Sequence, residues 1–310
     1  MDIEANAAPT PELPIEALRT GDILLMLGDG PLSDLIAWAS DGPYSHAAVV
    51  ADGGDLIEAA ASGVRRYPLA RRIANQADYH FIDAWRMHDG CGEPLADADL
   101  ADVLAKAESL LGIPYPVDQL ALLGAIMAVR GKWPEHPWAR LLVREALDHV
   151  LPSETDGMVC SEVVYRAYAQ CAATPDGRLA PVIVVGERGT APFPDIDWKA
   201  LFDEIWPLLK PRGRQRLQAP QARLNAMKSA DIGRLGVDLA AVPEIGDEEL
   251  EQARLAVLAQ LGPEDAGAEA LRAGPGPVDP KPNPRLVSPQ DLAASPSVSL
   301  LGRLMQRPQG

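Results

Sequence analysis

Apolar positions in the first two thirds of the chain follow two rhythms, short compact runs and then longer stretches at helical spacing. Gly21-Asp22-Ile23-Leu24-Leu25-Met26 is a tight apolar run behind a turn signal and predicts a strand, and Ser33 to Ala39 predicts a short helix. Tyr44 to Ala51 and Asp55 to Ala60 predict two strands joined by Asp52-Gly53-Gly54, with a third around Tyr79 to Trp85. Connections this short leave little room for crossover helices, so the sheet is expected to be antiparallel. The rhythm then changes. Leu100, Val103, Leu104, Ala107 and Leu111 recur at helical spacing across Asp97 to Leu111, and Gly112-Ile113-Pro114 ends that helix. Leu120 to Val129 and Trp138 to Val150 predict two more helices around a turn at Pro134 and Pro137. Another helix is expected from Cys160 to about Cys171, and an amphipathic one from Trp198 to Leu209. Helices leaning on one sheet give an α+β fold.

After residue 211 the signal thins. Residues 221–262 carry short helical stretches, including Glu248 to Leu261, whereas 263–310 hold nine prolines and five glycines with few aromatics. That composition predicts a disordered tail. The expected organisation is therefore an N-terminal extension (1–17), a folded domain (18–210), a short helical region (211–262) and a Pro/Gly-rich tail (263–310).

Charge narrows the partners. The net charge is −16, with 16 Lys+Arg against 32 Asp+Glu in residues 1–210 and 12 against 12 thereafter. An acidic front domain repels nucleic acid and anionic headgroups, so neither is an expected partner. Arg65-Arg66, Arg71-Arg72 and the run from Lys210 to Arg216 are local exceptions able to meet an anion, with a solvated charged face as the commoner explanation. Cys91, Cys160 and Cys171 cannot all pair within one chain and form no Cys-x-x-Cys pattern, which disfavours a disulfide framework or a cysteine zinc site. No metal or cofactor is expected. Met1 to Thr20 lacks the basic-then-apolar design of a secretory leader, which predicts a cytoplasmic protein, and the apolar run Leu120 to Val129 is too short to cross a bilayer.

The chemistry converges on Cys160, set where a loop gives way to a helix in Asp156-Gly157-Met158-Val159-Cys160-Ser161-Glu162. A thiol at a helix N-terminus feels the positive end of the macrodipole, and a nearby imidazole can hold the thiolate. If Asp52-Gly53-Gly54 forms a three-residue loop, Ala51 faces Asp55, Ala48 faces Glu58 and His46 faces Ala60. His46 and Glu58 then share one sheet face as diagonal neighbours, about 7–8 Å apart at the backbone. A two-residue loop would put them on opposite faces. His46 is the expected base and Glu58 the group that fixes its tautomer, with the backbone N–H of Cys160 as an oxyanion donor. Tyr115, Tyr44 and Ser161 are candidates for a second donor or for contacts with substrate. His80, His88, His136 and His149 are expected to be structural or exposed, and Cys91 and Cys171 to be inert.

These residues, in this order, resemble the circularly permuted papain-like amidases of the YiiX and YaeF type, within the wider NlpC-like superfamily. The matching pieces are Thr20-Gly21-Asp22-Ile23-Leu24, Tyr44-Ser45-His46-Ala47-Ala48-Val49-Val50, Leu56-Ile57-Glu58-Ala59, Gly112-Ile113-Pro114-Tyr115 and Val159-Cys160-Ser161-Glu162-Val163-Val164, spanning about residues 18–200. The resemblance implies a permuted papain-like fold with Cys160 as nucleophile, His46 as base, Glu58 as third member and Tyr115 lining the site. It also makes residues 117–157 a helical insertion, either a lid or acyl groove or ordinary core packing. The expected activity is a thiol-dependent amidase or peptidase-like hydrolase acting on a small peptide, N-acyl or lipid-like substrate through an acyl-thioester. Acyl transfer is the alternative by the same intermediate, and a non-catalytic scaffold, recruiting a protein through residues 211–310, is the alternative of a different class.

Overall fold

The computed structural model describes residues 10–60, 62–114, 118–150, 158–184, 189–205, 244–261 and 282–308. Six strands form one sheet: β1 (Ile23–Gly28), β2 (His46–Val50), β3 (Asp55–Ala60), β4 (Gly63–Pro68), β5 (Tyr79–Met87) and β6 (Val298–Gln306). Their spatial order is β4-β3-β2-β1-β5-β6, and every pairing is antiparallel. Nine α-helices are present among the described residues: α1 (Pro31–Ser40), α2 (Leu69–Ala74), α3 (Asp97–Ser109), α4 (Asp118–Arg130), α5 (Pro137–Val150), α6 (Cys160–Ala169), α7 (Trp198–Ile205), α8 (Asp247–Leu261) and α9 (Pro289–Ala293). The class is mixed α+β, as expected.

Both faces of the central strands are covered, which is why β1, and β2 after His46, read as continuous apolar runs instead of alternating with polar residues. Ile23, Leu25, Ala47, Val49, Ile57 and Ala59 pack under the helical layer with Val163, Val164 and Ala167 of α6. Leu24, Met26, Ala48, Val50, Leu56, Ile82 and Ala84 pack on the opposite face with Leu69 and Met305. Within the helical layer α4 and α5 cross closely: a Cβ on Gly124 would lie 2.1 Å from the Ala146 carbonyl oxygen.

The β2–β3 connection takes the three-residue form. Val49 pairs with Ile57 and Val50 with Leu56, and the Ala51 N–H donates to the Asp55 carbonyl at 2.9 Å. Gly53 (φ 67°) and Gly54 (φ 80°) adopt the left-handed conformation that this turn needs. One slip of this register would turn Glu58 to the other face.

Two strands depart from the sequence expectation. β4 is made from Gly63-Val64-Arg65-Arg66-Tyr67-Pro68, a segment with no apolar run; it is an edge strand, where a terminal proline costs no ladder bond. β6 lies inside the segment expected to be a disordered tail. Residues 298–306 instead pair with β5 along most of its length and close the other edge, so the tail expectation is corrected for 282–308. Nor does the fold end at 210. Arg254 of α8 donates to the Ala128 carbonyl at 3.0 Å, and Arg130 of α4 meets Asp291 of α9 at 2.6 Å. The expected continuation of α7 over 206–209, and the basic run 210–216, lie outside the described residues.

Candidate functional site

His46 opens β2 and Glu58 lies in β3, and the hairpin register brings their side chains together. The His46 Nε2–H donates to Glu58 Oε2 at 3.0 Å. Glu58 is fully buried and His46 is 9% exposed. Across the next ladder Glu58 pairs directly with Arg65 of β4, whose Nε and Nη2 donate to Glu58 Oε1 at 3.2 and 2.9 Å. Arg72 of α2 donates to the same oxygen through Nη2. Each carboxylate oxygen thus has its own work: Oε1 holds the guanidiniums, and Oε2 is left for the imidazole.

Cys160 is the first residue of α6, behind Val159 in extended conformation (φ −86°, ψ 162°). Its backbone N–H belongs to the first helical turn, whose donors have no intrahelical partner, and α6 packs against β2 and β3, bringing the thiol within electrostatic reach of the His46 ring. Nε2 is the ring nitrogen committed to Glu58. Cys160 is 1% exposed, so the pair is deeply covered.

Electrostatics favour charge separation here. Burial works against a charged imidazole, but Tyr79, Cys160 and Glu58 around the ring outweigh it and hold His46 well above the usual imidazole value. Burial would raise the Glu58 carboxyl as well; the His46 hydrogen bond and charge, with Arg72 and Arg65, overcome it and bring that group down to about 2. A second carboxyl stands in the first turn of α6. Burial pushes Glu162 up against the lowering by Arg166, which donates to it at 2.8 Å, and the Val159 N–H donates to Glu162 at 3.3 Å.

The other expected residues are placed elsewhere. The Tyr44 hydroxyl donates to Asp83 Oδ2 at 2.9 Å, inside a buried group completed by Arg303, and burial with the Asp83 charge raises it strongly. The Ser161 hydroxyl donates to the Val287 carbonyl at 2.7 Å. Neither hydroxyl is therefore available as a second oxyanion donor in this arrangement, because each is consumed by a buried partner. Tyr115 lies outside the described residues. His80 meets Asp29 at 3.2 Å, His88 meets Ser299 at 2.5 Å, and His136 stacks on Trp198 with ring centroids 4.3 Å apart. The His149 side chain lies outside the described set. Cys171 is buried, its thiol donating to the Tyr168 carbonyl, whereas Cys91 is exposed.

Arg65, Arg72 and Tyr79 are the members of this constellation that sequence reasoning did not assign to it. The signal was present: the two Arg-Arg pairs stood out as able to meet an anion, and for Arg65 and Arg72 that anion is Glu58. Arg66 goes instead to Asp52, Asp55 and Glu108.

No family model and no curated protein matches the chain. Among solved structures it is similar to the metalloprotein yiiX from Escherichia coli O157:H7, at 17% identity over 93% of this chain and 98% of that one, with a TM-score of 0.38. Among the described residues no three His, Cys, Asp or Glu side chains are grouped to hold a metal ion, and no helix is long and apolar enough to cross a membrane.

Proposed function

We propose that the protein is a cysteine hydrolase that cleaves an amide or ester bond through an acyl-thioester on Cys160. The observation that carries this reading is the buried His46–Glu58 pair, joined at 3.0 Å, with the Cys160 thiol at the start of α6 close enough to raise the affinity of the imidazole for its proton. A buried thiol alone is usually inert; one set against an imidazole whose tautomer is fixed by a buried carboxylate is equipped for nucleophilic attack.

In the proposed sequence His46 takes the thiol proton, and Cys160 Sγ adds to the substrate carbonyl carbon while the carbonyl π electrons move onto oxygen. The Cys160 N–H steadies the oxyanion. Collapse expels the amine or alkoxide, which receives the proton from His46, and leaves the acyl group on sulfur. Water then attacks the thioester, giving up a proton to His46, and thiol and carboxylic acid are released. The histidine strand precedes the cysteine helix, the order of the permuted papain-like amidases that the sequence motifs resemble. That order supports a permuted papain-like unit with a small peptide, N-acyl or lipid-like substrate. The depth of Cys160 favours a second reading, acyl transfer, because a covered thioester is shielded from water until an acceptor arrives.

Incubation with p-nitrophenyl acetate followed by intact-mass and peptide mass spectrometry tests the proposal. Acetyl is expected on Cys160 in the native protein, and its formation is expected to fall at least about a hundredfold in His46→Ala. Acetylation confined to Cys91, or equal in both proteins, would refute the assignment. Adding hydroxylamine or an amine as acceptor then separates hydrolysis from transfer by the product released.

A further inference from the structure

The polar groups behind the imidazole form a larger assembly than a three-residue site requires. Arg72 is 5% exposed, yet it is placed by four contacts. Nη2 donates to Glu58 Oε1, Nη1 donates to the Tyr79 hydroxyl at 2.9 Å, and the guanidinium carbon stands 4.6 Å above the Tyr67 ring and 4.9 Å from the Tyr79 ring. The Tyr79 ring in turn lies 6.2 Å from the His46 ring, tilted by 43°. A guanidinium set against two aromatic rings and hydrogen-bonded through two of its nitrogens has little rotational freedom, and its planar fork cannot be matched by a point charge.

Resting on the function proposed above, we infer that Arg72 is a positioning residue for the reaction: held by its contacts with Tyr67 and Tyr79, it pins Glu58 Oε1 so that Oε2 presents one fixed acceptor to His46. The contacts of its guanidinium are with Glu58, Tyr67 and Tyr79. Its effect passes through Glu58, which is kept as an anion of fixed orientation, so His46 keeps its proton on Nε2. Arg65 donates to the same oxygen, but its side chain is 38% exposed, so water competes there more readily than at Arg72.

The groups that bear on a pH test are few. Glu58 faces His46 from β2, Arg65 from β4 and Arg72 from α2; His46 faces Glu58, Tyr79 from β5 and Cys160 from α6. Without Arg72, burial of Glu58 is opposed by fewer cations, and the carboxyl takes up a proton at higher pH. Once protonated it no longer fixes the imidazole. The rate of Cys160 acetylation by p-nitrophenyl acetate should therefore lose its acid side early in Arg72→Met, the acid limb moving up by about one to three pH units. The maximal rate should fall about a hundredfold through misplacement of the ring, while the reagent concentration for half-maximal rate stays as in the native protein. Arg72→Lys, which restores a charge on Oε1, should return the acid limb toward its native position, and imidazole nitrogen NMR should show the His46 Nε2–H bond to Glu58 lost in Arg72→Met.

An unmoved acid limb, with the rate either unchanged or lowered equally at all pH values, would overturn the inference and leave the Cys160–His46 assignment intact. Absence of His46-dependent acetylation in the native protein would sink both together. If Arg72→Met does not fold, Arg72→Gln, which keeps donors without the charge, decides by the same displacement of the limb.

Discussion

Glu58 is the residue on which stability and the proposed chemistry meet. It is fully buried with three cationic or protonatable partners, so replacing it by glutamine leaves Arg72 buried without an anion and should destabilise the fold by about 3 kcal/mol in denaturant unfolding. The pH dependence has a definite sign. The Glu58 carboxyl falls from 4.5 to about 2 on folding, so its contribution is complete above pH 4.5 and is lost as pH drops toward 2. Acid titration of the native protein and of Glu58→Gln should show stability falling more steeply across that window in the native protein; parallel curves would remove Glu58 as the cause. The His46–Glu58 pairing was legible from the turn, since Asp52-Gly53-Gly54 admits a register that puts both on one face. The arginines were not, because β4 has no apolar periodicity to declare it a strand and so gave no register for Arg65.

Helices and strands differ in how far their own sequence specifies them. α3, α4, α5 and α8 end within a few residues of the positions that helical spacing and Gly or Pro breaks predict, because those signals are local. β6 escaped for the opposite reason: a strand depends on the partner edge it meets, and its segment Val298–Gln306 sits in a Pro/Gly-rich stretch whose average composition hides it. The α4–α5 crossing is likewise a property of two elements together. Gly124 has no Cβ where the Ala146 carbonyl passes, so Gly124→Ala should force the helices apart and cost about 1–3 kcal/mol despite alanine's higher helix propensity. Thermal unfolding checks this; a stabilised variant would mean that the helices are not so closely held.

At the scale of the molecule the C-terminal strand is built into the core. Arg303 of β6 donates through Nε to Asp83 Oδ1 at 2.7 Å and through Nη2 to Oδ2 at 3.1 Å, and Tyr44 closes the same carboxylate. Arg303→Met should therefore cost about 3 kcal/mol, and truncation before residue 298 should lose hydrogen-exchange protection along β5, which becomes an open edge. Retained protection in the truncated chain would show β6 to be dispensable. The amino-acid sequence by itself determined the α+β class, most helices, the β2–β3 turn and the Cys160, His46 and Glu58 candidates, since these depend on periodicity, turn chemistry and reactive side chains read over short windows. Tertiary structure alone decided that Arg65 and Arg72 serve Glu58, that Tyr44 and Ser161 are spent on buried partners, and that residues 298–306 complete the sheet. Each of those is a contact between segments far apart in the chain, fixed by packing and by the cost of leaving a buried charge unpaired, for which no local pattern exists.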